Sequence, residues 1–248
     1  MKYAIIFCFL LNNISAENII DMFDEGNSFM EAKDYSAAID NFNSIIEIDP
    51  YQSKVFYNLG NAYFRIDSLG YAVWAYSKAL QISPRDKNCI YNLNLTKDRL
   101  NGQITYPKKH FFSSMLFKIR NSITFAELMF LSSTATASIF ILNFIFKIFS
   151  FNINFRNKII KVFVLSAIIL HVLSIDSYFL NKKKEAILIE KFINIYSEPF
   201  SLNGRVLSVV NEGTRIQLLN SQGSWSEVIL DNGEKGWIPN SSFLELDK

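Results

Sequence analysis

Two long apolar runs constrain this chain more than any other feature. Phe125 to Phe146 reads FAELMFLSSTATASIFILNFIF and Ile159 to Leu180 reads IIKVFVLSAIILHVLSIDSYFL. Each is long enough to cross a hydrocarbon core of roughly 30 Å at about 1.5 Å per residue. Charged residues make up 19% of the 248 positions, below the roughly 25% usual for a soluble chain, so the apolar excess calls for a lipid rather than a water-facing fold. The pattern predicts transmembrane helix 1 over 125–148, a short cytoplasmic loop over 149–158 and transmembrane helix 2 over 159–180, with the bilayer as a partner. The small-residue run from Ser132 to Ser138 lets a neighbouring helix approach closely and offers it hydroxyls.

Ionisable residues inside such runs are expensive and point to function. Glu127, at the start of one run, and Asp176, near the end of the other, are expected at similar depth, with His171 nearer the middle. Contact with a polar residue of a partner's membrane helix is one reading. In the other, the two carboxylates reach headgroup water and His171 bonds a hydroxyl across the hairpin.

At the N-terminus, Lys2 precedes an apolar stretch from Tyr3 to Leu11, and Ala16 ends a segment too short to span. Residues 1–16 read as a signal peptide. Lys and Arg flank both apolar runs on every side, so their count leaves orientation balanced. The signal decides it: residues 17–124 are exported, the connection near Arg156 is cytoplasmic, and the chain after Leu180 is again outside. Cys8 falls within the signal and Cys89 is then alone, which excludes an internal disulfide of the mature chain.

Between signal and membrane, the sequence repeats at an offset of 34. Gly26 matches Gly60, Asn27 matches Asn61, Ala38 matches Ala72, Phe42 matches Tyr76 and Pro50 matches Pro84. A period of this length with small residues, aromatics and a closing proline describes a stacked helix-turn-helix unit. Phe56, Leu59, Gly60, Tyr63, Ala72, Tyr76, Ala79 and Pro84 resemble the tetratricopeptide repeat (TPR) signature. A TPR domain is expected over 17–101, as two repeats and a capping helix at about 87–100, with a juxtamembrane linker over 102–124. Two repeats fall short of the roughly three a solenoid core needs, so a partner or self-association is expected to complete it.

The resemblance to TPR domains implies a groove lined by Phe23, Asn27, Met30, Tyr57, Asn58, Asn61, Arg65 and Tyr91. Asn27 and Asn58 match two positions of that family's carboxylate clamp, whereas Phe23, Asn88 and Asn92 replace its basic residues. An extended or helical partner segment suits such a lining better than an acidic C-terminus; the alternative is that Phe23, Tyr57 and Tyr91 stack as packing. If the groove binds, Asn61→Ala with Tyr57→Ala abolishes partner recovery and leaves thermal stability unchanged.

After Lys184 the pattern changes to short β-rich runs: Ala186 to Glu190, Ile195 to Tyr196, Arg215 to Leu219, Trp225 to Ile229 and Gly236 to Ile238, separated by turns such as Asp231-Asn232-Gly233. This spacing predicts a small barrel or sandwich. Tyr196, the Gly213 block, the Trp225 block and Gly236-Trp237 resemble the bacterial SH3-like domain, expected over 185–248. Trp225 and Trp237 are expected in its core. The fold class is therefore a multi-domain α + β membrane protein with a helical TPR solenoid, a two-helix transmembrane hairpin and a small all-β SH3-like barrel.

No HExxH, P-loop, CxxC or Gly-x-Ser-x-Gly motif occurs, and the two histidines are His110 and His171. A non-catalytic chain without metal or cofactor is expected. Net charge +2 and pI near 8.4 give no nucleic-acid footprint. The order of signal, TPR, two membrane helices and SH3-like domain resembles the BatE-like proteins of Bacteroides aerotolerance operons. That resemblance implies a bacterial inner membrane protein with both soluble modules extracytoplasmic, and protein partners among von Willebrand A-domain membrane proteins and a MoxR-type ATPase system. A peptidoglycan-binding anchor or sensor is the alternative.

Overall fold

A computed structural model describes residues 18–100, 123–149, 152–181, 183–199 and 204–246. The expected signal peptide lies outside the described residues, as does all but the end of the juxtamembrane linker. The chain divides into two compact units, Met1–Pro107 with Lys184–Lys248, and Lys108–Lys183.

Among the described residues of the first unit, five helices precede the strands: α1 (18–31), α2 (Tyr35–Ile48), α3 (Ser53–Arg65), α4 (Leu69–Ile82) and α5 (Lys87–Arg99). Asp34 caps α2 by accepting from Ala37 N–H, and Asp86 caps α5 by accepting from Asn88 and Cys89 N–H, satisfying donors a helix start leaves open. The period of 34 has a steric cause. A Cβ on Gly26 would stand 2.6 Å from Phe42 Cε1, and one on Gly60 2.6 Å from Tyr76 Cδ1, so each repeat crosses its helices over a ring that needs glycine beneath it. Ala38, Phe42, Ile45, Phe56, Leu59 and Tyr76 are at most 1% exposed and form this core.

The strands are β1 (Glu185–Leu188), β2 (Phe192–Tyr196), β3 (Val206–Asn211), β4 (Arg215–Gln222), β5 (Trp225–Leu230), β6 (Lys235–Pro239) and β7 (Phe243–Glu245). They form one antiparallel sheet in the order β3-β2-β6-β5-β4-β1-β7. Strands β3 and β7 were absent from the sequence-based runs: β3 buries only Val210, and β7 is three residues long. Alternation sorts the sides elsewhere, with Ile193, Ile195, Val228, Leu230 and Ile238 inside.

Ile187 of β1 and Leu246 beyond β7 do not join the sheet's own core. They are 1% and 3% exposed and belong to the helical core. The expectation that two repeats need something to complete them therefore has an answer within the chain: the β module supplies it.

The described residues of the second unit form a helical hairpin, α6 (Phe125–Ile148) and α7 (Ile153–Asn181), with Phe125 and Tyr178 rings 6.3 Å apart so that the start of one lies beside the end of the other. Both helices are long and apolar enough to cross a membrane. The expected loop of 149–158 is shorter, because α7 begins at Ile153 rather than 159. Asn152 accepts from Asn154 N–H at 2.9 Å and starts the helix there, so the helix takes in the polar stretch Asn154 to Lys158 ahead of the apolar run.

Candidate partner-binding faces

The residues predicted to line a TPR groove are joined by an amide ladder. Asn58 Nδ2 donates to Asn27 Oδ1 at 2.7 Å, linking α3 to α1, and Asn92 Nδ2 donates to Asn61 Oδ1 at 2.8 Å, linking α5 to α3. Both rungs span 31 residues, so they are one bond repeated in consecutive units. Asn92 also donates to Tyr57 Oη at 3.2 Å, and Tyr76 Oη donates to Asn61 at 2.8 Å. Phe23, Met30 and Tyr57 rest against the helical core. Tyr91, 68% exposed, and the exposed Arg65 project from the same set of helices.

This network corrects one expectation. Asn61 accepts from both Tyr76 and Asn92, so Asn61→Ala strips partners from internal groups and is expected to cost stability. Sequence reasoning noted Asn92 only as a missing base; its spacing of 34 from Asn58 was the signal that the two rungs are equivalent.

Beside the ladder, Cys89 is fully buried and its Sγ donates to Tyr76 carbonyl O at 3.4 Å. Burial pushes its thiol up to about 12, with the Asp86 charge adding to the rise. It is a packing residue, since the nucleophilic thiolate is suppressed. Burial likewise raises the Tyr76 hydroxyl.

The β module presents a second face. Trp225 and Trp237 were expected in the core, yet neither belongs to it; both are half-buried. The reason is register: along β5, Ser226, Val228 and Leu230 point inward, and along β6, Gly236 and Ile238 do, so both tryptophans fall on the opposite side. There Tyr196 pairs with Trp237 across β2 and β6, Glu227 faces Trp237, and Tyr196 meets Trp225 edge-on with centroids 5.5 Å apart. Phe192, 74% exposed, stands on the same side of β2. Gly236 is inward and tight, because a Cβ there would overlap Ile195 Cγ2 and stand 2.7 Å from Tyr196 O.

The two modules are joined by contacts that the sequence did not announce. Ser68, at the start of α4, makes no side-chain cap bond. Instead Gly70 N–H donates to Glu212 Oε2 at 2.6 Å, so a carboxylate from the β3–β4 turn caps the helix and meets the positive end of its dipole. Trp74 Nε1 donates to Glu245 O and Gln81 Nε2 to Leu246 O, each at 2.9 Å. Gly70 and Gly213 permit the approach. A Cβ on Gly70 would stand 2.8 Å from Leu188 O, and one on Gly213, where φ is +75°, would overlap Leu100 Cδ1 and sit 3.3 Å from Val73 Cγ2.

In the hairpin, Ser132, Ala167, Ser174 and Ser177 are the small residues buried between helices. Their hydroxyl bonds run differently from expectation. Ser132, Thr136 and Ser174 donate to carbonyls three or four residues back in their own helix, which satisfies each hydroxyl locally. Glu127 belongs to a capping box: Thr124 N–H donates to its Oε2 at 2.9 Å while Thr124 Oγ1 accepts from Glu127 N–H. His171 does not bond across the hairpin; its Nδ1 is 2.8 Å from Ala167 O in its own helix. Asp176 is exposed near the end of α7. Among the described residues, no group of three or more His, Cys, Asp or Glu side chains is arranged to hold a metal.

No curated protein matches the chain. Two family models do: one for the TPR repeat over residues 26–67 and one for the bacterial SH3 domain over residues 191–245. The chain thus combines a TPR repeat with a bacterial SH3 domain, on either side of two helices long enough to cross a membrane.

Proposed function

We propose that this chain is a non-catalytic scaffold of the bacterial cell envelope, which binds protein partners through its TPR and SH3-like modules and is anchored by the α6–α7 hairpin. The observation that carries this reading is the shared core: Ile187 and Leu246 pack among TPR residues, so two binding faces are held in one body. A scaffold gains from that arrangement because partners on a fixed frame meet in a fixed geometry, and an ordered interface forfeits less entropy on binding. The BatE-like order of modules favours von Willebrand A-domain membrane proteins and a MoxR-type ATPase system as partners, at an inner membrane with both modules extracytoplasmic.

The test uses full-length protein. Tyr91→Ala, at a side chain 68% exposed, reduces co-purification of a co-expressed von Willebrand A-domain membrane protein while leaving the unfolding midpoint in place; undiminished recovery refutes the TPR face. Sidedness is read with an impermeant maleimide at Tyr51→Cys, Asn154→Cys and Asn232→Cys. Outside labelling of the first and last, but not the middle one, is the expected pattern.

Peptidoglycan is the second reading, favoured by the outward Tyr196, Trp225 and Trp237 face. Isolated residues 185–248 are a poor probe of it, since excision bares Ile187 and Leu246. Sedimentation of the full-length chain with purified sacculi, lost in Trp237→Ala, supports wall binding; no sedimentation excludes it.

A further inference from the structure

A shallow groove of about 330 Å³ runs along the hairpin between α6 and α7, lined among others by Thr136, Ile139, Ala167, Ile168, His171 and Ile175. Ala167 and Thr136 keep its floor low, so a third helix can approach closely. His171 stands ten residues before the end of α7 at Asn181, roughly 15 Å along the helix axis and therefore near the centre of a hydrocarbon core roughly 30 Å thick.

The imidazole's own hydrogen bond fixes what it needs. A backbone carbonyl only accepts, so the 2.8 Å contact from Nδ1 to Ala167 O puts the ring hydrogen on Nδ1. In the neutral ring Nε2 is then an acceptor, and among the described residues His171 makes no other hydrogen bond. Thr136 does not answer it, since its hydroxyl donates to Ser132 O. An acceptor at this depth in lipid is costly until a donor arrives. A second copy is a poor source of that donor, since its Thr136, Ser138, Ser166 and Ser174 hydroxyls already donate within their own helices and its own His171 presents another acceptor. The occupant the chemistry fits is a membrane helix of a different protein that carries a hydroxyl or amide donor at mid-depth.

We propose that the α6–α7 groove receives such a transmembrane helix, which donates a hydrogen bond to His171 Nε2. This inference rests on the reading that α6 and α7 cross a membrane, and the experiment separates the two. Full-length protein is reconstituted in phosphatidylcholine vesicles and first extracted with alkaline carbonate; release from the vesicles overturns the membrane reading and the groove with it. Retained protein is then titrated, by energy transfer, with a synthetic leucine–alanine helix of about 22 residues carrying a central Asn or, as reference, a central Leu. The Asn helix is expected to associate about 3-fold to 10-fold more tightly than the Leu helix, with the advantage lost in His171→Leu and largely retained in His171→Gln, which keeps an acceptor. Equal association of the two peptides, or an Asn advantage that survives His171→Leu, overturns the proposal. Energy transfer between two labelled copies that depends on His171 overturns it in favour of a homodimer.

Discussion

Gly213→Ala tests the junction between the TPR and SH3-like modules, and the molecule carries its own control. Gly213 and Gly223 both occupy the left-handed region, at φ +75° and +59°. Alanine in that region costs about 1 to 2 kcal/mol at either position. They differ in surroundings: nothing lies within 4 Å of a Cβ on Gly223, whereas one on Gly213 overlaps Leu100 Cδ1 and sits 3.3 Å from Val73 Cγ2. Forcing a methyl into a packed site adds about 1 to 3 kcal/mol. Gly223→Ala should therefore lose about 1 to 2 kcal/mol and Gly213→Ala about 2 to 5 kcal/mol. Urea unfolding of the full-length protein in detergent reads the difference. The chain has three tryptophans, with Trp74 bonded to Glu245 O across the junction and Trp225 and Trp237 within the sheet. Because Leu100 Cδ1 is the end of a flexible side chain, Leu100→Ala should relieve most of the overlap, so the double variant falls short of additivity by that amount. Equal losses at Gly213 and Gly223 would refute the claim that the modules are pressed together there.

Three further outcomes follow from the same packing. Glu212→Ala removes the acceptor that caps α4 and should cost about 1 kcal/mol, most of it restored by Glu212→Gln, as read by the urea midpoint. Asn61→Ala deprives Tyr76 Oη of its acceptor beside a ring 1% exposed and breaks one amide rung; a loss of about 1 to 3 kcal/mol is expected in thermal unfolding. Cys89 has a native pKa near 12 against an ordinary value of 9.0. Its neutral form is favoured in the native state, so its contribution is fully present below pH 9 and is lost as pH rises toward 12. The stability of Cys89→Ala should fall less steeply across that window, and the native thiol should resist a maleimide at pH 8.

How much of this was legible in the sequence depended on whether a signal was local. The offset of 34 was readable because Gly26 with Phe42, and Gly60 with Tyr76, are contacts made once per repeat. The apolar runs were readable because length and hydropathy are properties of one segment. The side on which Trp225 and Trp237 fall was not, since their motif fixes identity while strand register fixes direction; alternation along Trp225 to Leu230 held the answer once Val228 and Leu230 were taken as inward. Glu212 looked like an ordinary turn residue. Its role as the α4 cap arises 142 positions from Gly70, and no local pattern carries a pairing of that range. His171 was recognisable as costly in a membrane, but the choice between a hydroxyl across the hairpin and its own helix carbonyl depended on side-chain geometry.

The shared core also constrains topology in a way that can be tested by deletion. Residues from Ala38 to Leu93 form a core that is closed by Ile187 and Leu246, and the chain between Leu93 and Ile187 contains both α6 and α7. A bilayer cannot run through a packed core, because the buried faces would then have to meet lipid headgroups instead of each other. If α6 crosses the membrane, α7 must bring the chain back. Removing α7 (Ile153–Asn181) should therefore leave the two modules on opposite sides: Tyr51→Cys and Asn232→Cys, expected to be labelled from the same side in the intact chain, should become labelled from opposite sides. Leu246 and Ile187 lose their cover, and the TPR helices lose the Glu212 cap and the Trp74 and Gln81 bonds together. Limited proteolysis should then cut within α4, most of which is buried in the intact protein. Same-side labelling with α4 still protected would mean that the core forms without a returning helix, and that α6 and α7 do not cross a membrane.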